Sequence, residues 1–197
     1  MNIPNALTIS RLGLAALLLG LLSLPDSLPM VKSAAFIVFV IAGITDYLDG
    51  HLARNVYGVS NFGKLMDPLA DKVIVCAAFV SFVELGLVPA YLVVIIIARE
   101  FLVTGLRLLA VEKGLVISAG KWGKHKTIWQ IVAIIAILLA LAVRHDILRD
   151  ADPTFLANYD LALGYISYAI GIAVALITVA SGYLYFIDNR DVLSKYL

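Results

Sequence analysis

The stretch ITDYLDGHLARNVYGVSNFGKLMDPLADK, residues 44–72, sets four aspartates, Asp46, Asp49, Asp67 and Asp71, against two otherwise apolar runs. An unpaired carboxylate at membrane depth costs at least about 2.5 kcal/mol, so such residues face a bundle interior or a cavity. At helical spacing Asp46 and Asp49 share one face, as do Asp67 and Asp71, and two helices can bring the pairs together. Four carboxylates at close range repel one another. With no histidine or thiolate ligand set nearby, their natural counter-ions are hard, oxygen-seeking cations such as Mg²⁺ or Mn²⁺, and two such ions suit four ligands. Gly50 and Ala53 remove bulk beside the first pair, which either permits close helix packing or lets a phosphate-bearing ligand reach the backbone. Arg54 adds a planar cationic fork suited to phosphate.

Outward from this stretch the chain is apolar almost throughout. Its 197 residues are 62% hydrophobic and 15% charged, with a mean hydropathy of +0.98, against about a quarter charged in soluble domains. Spanning about 30 Å of hydrocarbon takes about 20 apolar residues. Runs near that length cover Leu7–Leu24, Ser33–Ile44 continuing toward Ala53, Pro68–Leu85, Ala90–Leu109, Thr127–Val143 and Leu161–Ile187. The expected architecture is therefore all-α and integral to the membrane, six transmembrane helices in a single domain over residues 1–197. The first run lacks a basic leader and a small-residue cleavage site, so it is expected to stay attached.

Orientation follows from the basic residues. Eleven, Arg11, Arg54, Lys64, Lys72, Arg107, Lys113, Lys121, Lys124, Lys126, Arg190 and Lys195, fall on one side of the runs, and three, Lys32, Arg144 and Arg149, on the other. Cytoplasmic loops carry the excess of Lys and Arg, which places both termini and the aspartates at the cytosolic edge of a multi-pass protein of the cell (inner) membrane. A net charge of +1 offers no electrostatic footprint for nucleic acid. The single cysteine, Cys76, sits in an apolar run and reads as buried filler.

The spacing Asp-x2-Asp-Gly-x2-Ala-Arg-x8-Gly-x3-Asp-x3-Asp is complete at Asp46, Asp49, Gly50, Ala53, Arg54, Gly63, Asp67 and Asp71. This pattern resembles the signature of the CDP-alcohol phosphatidyltransferases, six-helix membrane enzymes, usually homodimeric, that displace CMP from a CDP-linked donor with an alcohol. The resemblance implies the CDP-alcohol phosphotransferase fold. It implies that Asp46, Asp49, Asp67 and Asp71 are ligands of a two-metal site gripping the donor diphosphate. Asp71 would also be the general base, with Gly50, Ala53, Arg54 and Gly63 accommodating the cytidine nucleotide. Ser60, where such enzymes carry threonine, is a departure that keeps the hydroxyl.

Three flanking segments carry a narrower resemblance: Asn2–Arg11, Ala98–Arg107 and Gly123–Thr127. They are similar to members of the family that join CDP-diacylglycerol to sn-glycerol 3-phosphate, giving phosphatidylglycerophosphate and CMP. An anionic acceptor then suits a basic pocket at Arg107, Lys124 and Lys126. Read from spacing alone, those residues serve equally as topology signal and interfacial anchors beside Trp122 and Trp129. Arg99 and Glu100 fall within the fourth run and must pair internally or line a cavity. Glu100, Thr104 and Arg107 share one helical face. The histidines His51, His125 and His145 lack metal-ligand spacing, and Arg144–Asp152 reads as an outer loop without chemistry.

Two alternatives stand beside this reading. Another acceptor, such as inositol phosphate, phosphatidylglycerol or serine, would keep the reaction class. A metal-ion or proton-coupled transporter would use the aspartates as a permeation site, but a cation path gains nothing from Arg54 beside its ligands.

Overall fold

The computed structural model describes the backbone at residues 3–56, 61–112 and 121–190, and side chains at 9–45, 72–110, 123 and 125–190. Six α-helices occur among the described residues: α1 (Ile3–Ser23), α2 (Val31–Val56), α3 (Asn61–Glu84), α4 (Ala90–Glu112), α5 (Lys121–Ala142) and α6 (Pro153–Asp188). A π-helical turn, Val143–Ile147, extends α5. Helix α1 packs on α2 and α3, α6 packs on α4 and α5, and α2 lies against α5, closing a bundle.

The core is a column of Leu18, Phe39, Phe79, Phe82, Ile96, Ile134, Ile137 and Leu138. Phe79 and Phe82 meet edge to face with ring centroids 6.1 Å apart, the arrangement their quadrupoles favour. The outside of the bundle is apolar too. Leu17, Ile41, Val94, Leu102, Leu139 and Leu176 are all exposed, a surface that lipid satisfies and water does not. By length and composition two helices are able to cross a membrane, His125–Ile147 and Pro153–Asp188, with shorter apolar segments at Ile9–Ser23 and Val31–Thr45.

The helices outrun the apolar runs that mark them. Helix α6 starts eight residues before the run at Leu161, because Asp152 caps it, accepting from the Thr154 and Phe155 N–H groups at 2.9 and 3.2 Å, and Pro153 occupies its first turn. Its 36 residues extend about 54 Å at 1.5 Å each, well past a hydrocarbon core. Helix α5 likewise begins at Lys121, so the basic cluster Lys121–Thr127 lies on its first turns instead of in a connection. Hydropathy registers what lipid touches, whereas the backbone stays helical into the polar zone.

Gly86, at φ +70°, ends α3 in the left-handed conformation that glycine adopts without strain. Two other glycines permit close approach. A Cβ on Gly171 would lie 2.9 Å from Val88 Cγ1 and 3.4 Å from Leu92 Cδ1, and one on Gly182 would lie 3.1 Å from Arg99 Cγ, so α6 meets α4 along a seam that includes Gly171, Ser181 and Gly182. Where lipid tails are as apolar as leucine, such small-residue contact is what holds helices together. Gly171→Leu is expected to lower the thermal midpoint in detergent by the equivalent of about 1–3 kcal/mol, the usual cost of overpacking. An unchanged midpoint would show that this seam does not hold the bundle.

At the end opposite the aspartates, the segment expected to be without chemistry is a set of polar ties. Lys32, only 1% exposed, donates to the Leu22 and Leu24 carbonyls at 3.0 and 3.3 Å and pairs with Asp26 at 3.0 Å, satisfying the C-terminal end of α1. Asp146 accepts from the Ser33 N–H at 2.6 Å at the start of α2, Arg144 grips Asp160 through two bonds of 2.6 and 2.7 Å, and Arg149 donates to the Ser27 carbonyl at 2.7 Å. All three basic residues counted on this side thus fasten the α1–α2 connection or α6 to the rest. Lys32→Met is expected to cost about 1–3 kcal/mol of stability by orphaning buried carbonyls, read as a lower melting midpoint with activity per folded molecule retained.

Candidate active site

The backbone carries the motif on two successive helices. Asp46, Asp49, Gly50, Ala53 and Arg54 lie on the last turns of α2, and Gly63, Asp67 and Asp71 on the first turns of α3. The helices contact one another and are joined by residues 57–60, so the i, i+3 and i, i+4 spacings are helical spacings as the sequence requires. The side chains of these eight residues, and those of His51 and Lys124, lie outside the described residues. Ser60 lies outside them altogether. An all-carboxylate set on adjoining helices has the donor chemistry of a hard divalent cation. Among the described residues no group of three or more His, Cys, Asp or Glu stands close enough to hold a metal.

The described side chains resume at Lys72, next to Asp71, and here the structure brings together what the sequence left scattered. Lys72 Nζ pairs with Glu100 Oε2 of α4 at 3.0 Å. Glu100 Oε1 accepts from Lys126 of α5 and, at 3.4 Å, from Gln130 Nε2 one turn on. The guanidinium of Arg99 lies 3.6 Å from the same oxygen and donates to Ser181 Oγ of α6 at 2.6 Å. Glu100 and Lys126 are each 2% exposed. The residues that hydropathy alone could not account for, Arg99 and Glu100, are therefore internally paired, and their partners come from α3, α5 and α6.

A cavity of about 170 Å³ adjoins this cluster, lined among others by Arg11, Gly43, Lys72, Glu100, Thr127 and Gln130. Gly43 is one turn before Asp46 and Lys72 follows Asp71, so the cavity lies at the level where the motif begins on α2 and ends on α3. Thr127 donates to the Gly123 carbonyl at 3.2 Å, which turns its hydroxyl back onto α5.

Arg107 stands apart from Lys126. Its guanidinium lies over the Tyr185 ring of α6, 5.4 Å from the centroid, a cation–π contact. Its Nε is buried without a hydrogen bond among the described residues, as is the Tyr185 hydroxyl. Glu100 and Arg107 start on one face of α4, but about 10 Å of axial rise separates them, and their neighbours differ. Lys72 and Gln130 carried no signal of their own in the sequence. Lys72 counted only toward topology, and Gln130 is one amide in an apolar run, though its i+4 spacing from Lys126 was visible. His145 sits on the π-helical turn, 3.7 Å from Asp26, and His125 is exposed on α5. Cys76 is partly buried, with a free thiol.

Comparison with known proteins bears on the whole chain. A family model described as CDP-alcohol phosphatidyltransferase matches residues 1–182. The CDP-diacylglycerol–glycerol-3-phosphate 3-phosphatidyltransferase of Bacillus subtilis (strain 168) is 39% identical over 202 residues, covering 98% of this chain and 97% of the relative. Proteins of the same name from Mycoplasma pneumoniae and Rickettsia bellii are 35% and 32% identical, covering 90% and 94% of this chain and 84% and 93% of their own lengths.

Proposed function

We propose, from the premise that this chain belongs to the CDP-alcohol phosphatidyltransferase family, that it transfers the phosphatidyl group of CDP-diacylglycerol to sn-glycerol 3-phosphate, releasing CMP. The observation that carries this reading is the complete eight-residue motif on two adjoining helices, α2 and α3, ending beside a buried basic cluster. Similarity over most of their length to three proteins named for that reaction supports the choice of acceptor.

In this reading Asp46, Asp49, Asp67 and Asp71 hold two divalent ions, Mg²⁺ or Mn²⁺, which when bound neutralise the donor diphosphate. Gly50, Ala53 and Gly63 leave room for the cytidine nucleotide, and Arg54 meets its phosphate. The acceptor hydroxyl attacks the β-phosphorus, a new phosphorus–oxygen bond forms, and the bond to the bridging oxygen breaks, so that CMP leaves with the electron pair. Asp71 takes the proton from the attacking hydroxyl. The basic residues Lys126, Lys124 and Arg107 supply positive charge for the acceptor phosphate. Both substrates then need a site open to lipid on one side and to cytosol on the other. That suits six spans in the cell (inner) membrane, both termini and the active site toward the cytoplasm, in a homodimer.

The test is CMP release by the purified protein in detergent with CDP-diacylglycerol and Mg²⁺ or Mn²⁺, comparing glycerol 3-phosphate with inositol 1-phosphate, serine and phosphatidylglycerol. Release with glycerol 3-phosphate alone, lost with a chelator, is the expected result. Release with a different acceptor would move the substrate within the family.

A further inference from the structure

Among the described residues Glu100 is the one buried carboxylate, and the reaction above does not use it. A carboxylate presents about four lone-pair sites to hydrogen-bond donors. Among the described residues Glu100 has four neighbours: Lys72 on one oxygen, and Lys126, Gln130 and, more distantly, Arg99 on the other. Lys72, Lys126 and Gln130 tie the carboxylate to α3 and α5, and the Arg99 guanidinium stands farther off. Three of the four neighbours are cations, whereas the carboxylate carries one negative charge, and Lys72 holds further contacts of its own. Lysine ammoniums are three-donor groups on flexible stems. Bonded to Glu100, Lys72 of α3 and Lys126 of α5 are fixed toward one point from two sides, beside the cavity lined by Arg11, Lys72, Glu100, Thr127 and Gln130.

We propose that Glu100 is a positioning residue of the acceptor site: it anchors Lys72 at the wall of this cavity and Lys126 beside it, where their positive charge draws in the phosphate of the acceptor. The assignment rests on the reading of glycerol 3-phosphate as acceptor and adds where its phosphate sits and what orients the cations around it. Lys72 directly follows Asp71 on α3, the residue that takes the proton in that reading. Glutamine at 100 would keep the shape but turn an amide N–H₂ toward one of the two ammonium groups, donor against donor, and that lysine would be displaced. Aspartate would keep the charge at a shorter reach.

The experiment is steady-state CMP release by wild type, Glu100→Gln, Glu100→Asp, Lys126→Met and the Glu100→Gln/Lys126→Met double variant, with glycerol 3-phosphate and CDP-diacylglycerol varied in turn. Glu100→Gln is expected to raise the KM for glycerol 3-phosphate about tenfold, the loss of one charge-assisted hydrogen bond, with the donor KM within about twofold. Glu100→Asp should recover most of that change. Because Glu100 acts through the lysines, the double variant should be little worse than Lys126→Met alone. Equal losses in both KM values, or losses that multiply in the double variant, would overturn the proposal. A fall in melting midpoint with an unchanged acceptor KM would do the same and leave Glu100 a packing residue only. Wild-type protein that releases CMP only with another alcohol would instead overturn the acceptor reading, an outcome visible before any variant is compared.

Discussion

Asp71→Asn is expected to lower CMP release at saturating donor and acceptor by at least about 10²–10⁴-fold, the range supplied by a positioned general base. Asparagine matches aspartate in size, so the start of α3 should keep its packing, but the amide neither takes a proton nor carries charge for a metal. Asp46, Asp49 and Asp67 remain, and donor binding should fall much less than turnover. The measurement is single-turnover CMP release alongside equilibrium binding of CDP in the presence of Mn²⁺. Turnover within about tenfold of wild type would remove Asp71 from the base role. Loss of binding equal to loss of turnover would make it a ligand alone.

Lys126→Ala, with Lys124→Ala beside it, is expected to raise the KM for glycerol 3-phosphate about 30-fold or more while the donor KM changes little. Truncating one partner of a buried charged pair costs about 2–5 kcal/mol, and 2 kcal/mol corresponds to that factor. Lys126 is 2% exposed and bonded to Glu100, so its removal also leaves a buried carboxylate with fewer partners. A lower melting midpoint should accompany the kinetic change. Glu100 retains Lys72 and Gln130, which keeps the bundle folded for the assay. An acceptor KM that stays at the wild-type value would take the acceptor phosphate away from Lys126.

The helices were legible because lipid imposes a simple rule: every backbone polar group must be satisfied within its own segment, and side chains facing the tails must be apolar. Each of the six runs corresponds to one helix among the described residues. Their ends were less legible. Asp152 and Pro153 start α6, and Lys121–Thr127 open α5, in polar sequence that hydropathy assigns to connections. Arg144, Arg149 and Lys32 counted as topology signal and prove also to be ties, because each finds a carboxylate or carbonyl on another segment of the fold.

The eight-residue motif needed no structure to be recognised. Its chemistry depends on spacing within two neighbouring helices, and spacing is written directly in the sequence from Asp46 to Asp71. The basic cluster was a different matter. Arg99 and Glu100 announced themselves as charges that lipid would not accept, yet nothing local said which partners they take. Lys72, Lys126 and Gln130 lie 28, 26 and 30 residues from Glu100, and only the packing of α3 and α5 against α4 brings them to one carboxylate. Spacing alone thus marks the reaction class, because an eight-residue motif carried on two successive helices is a local pattern. Tertiary structure alone decided how the cations beside it are held, because charge pairing across a bundle depends on which helices touch and at what depth.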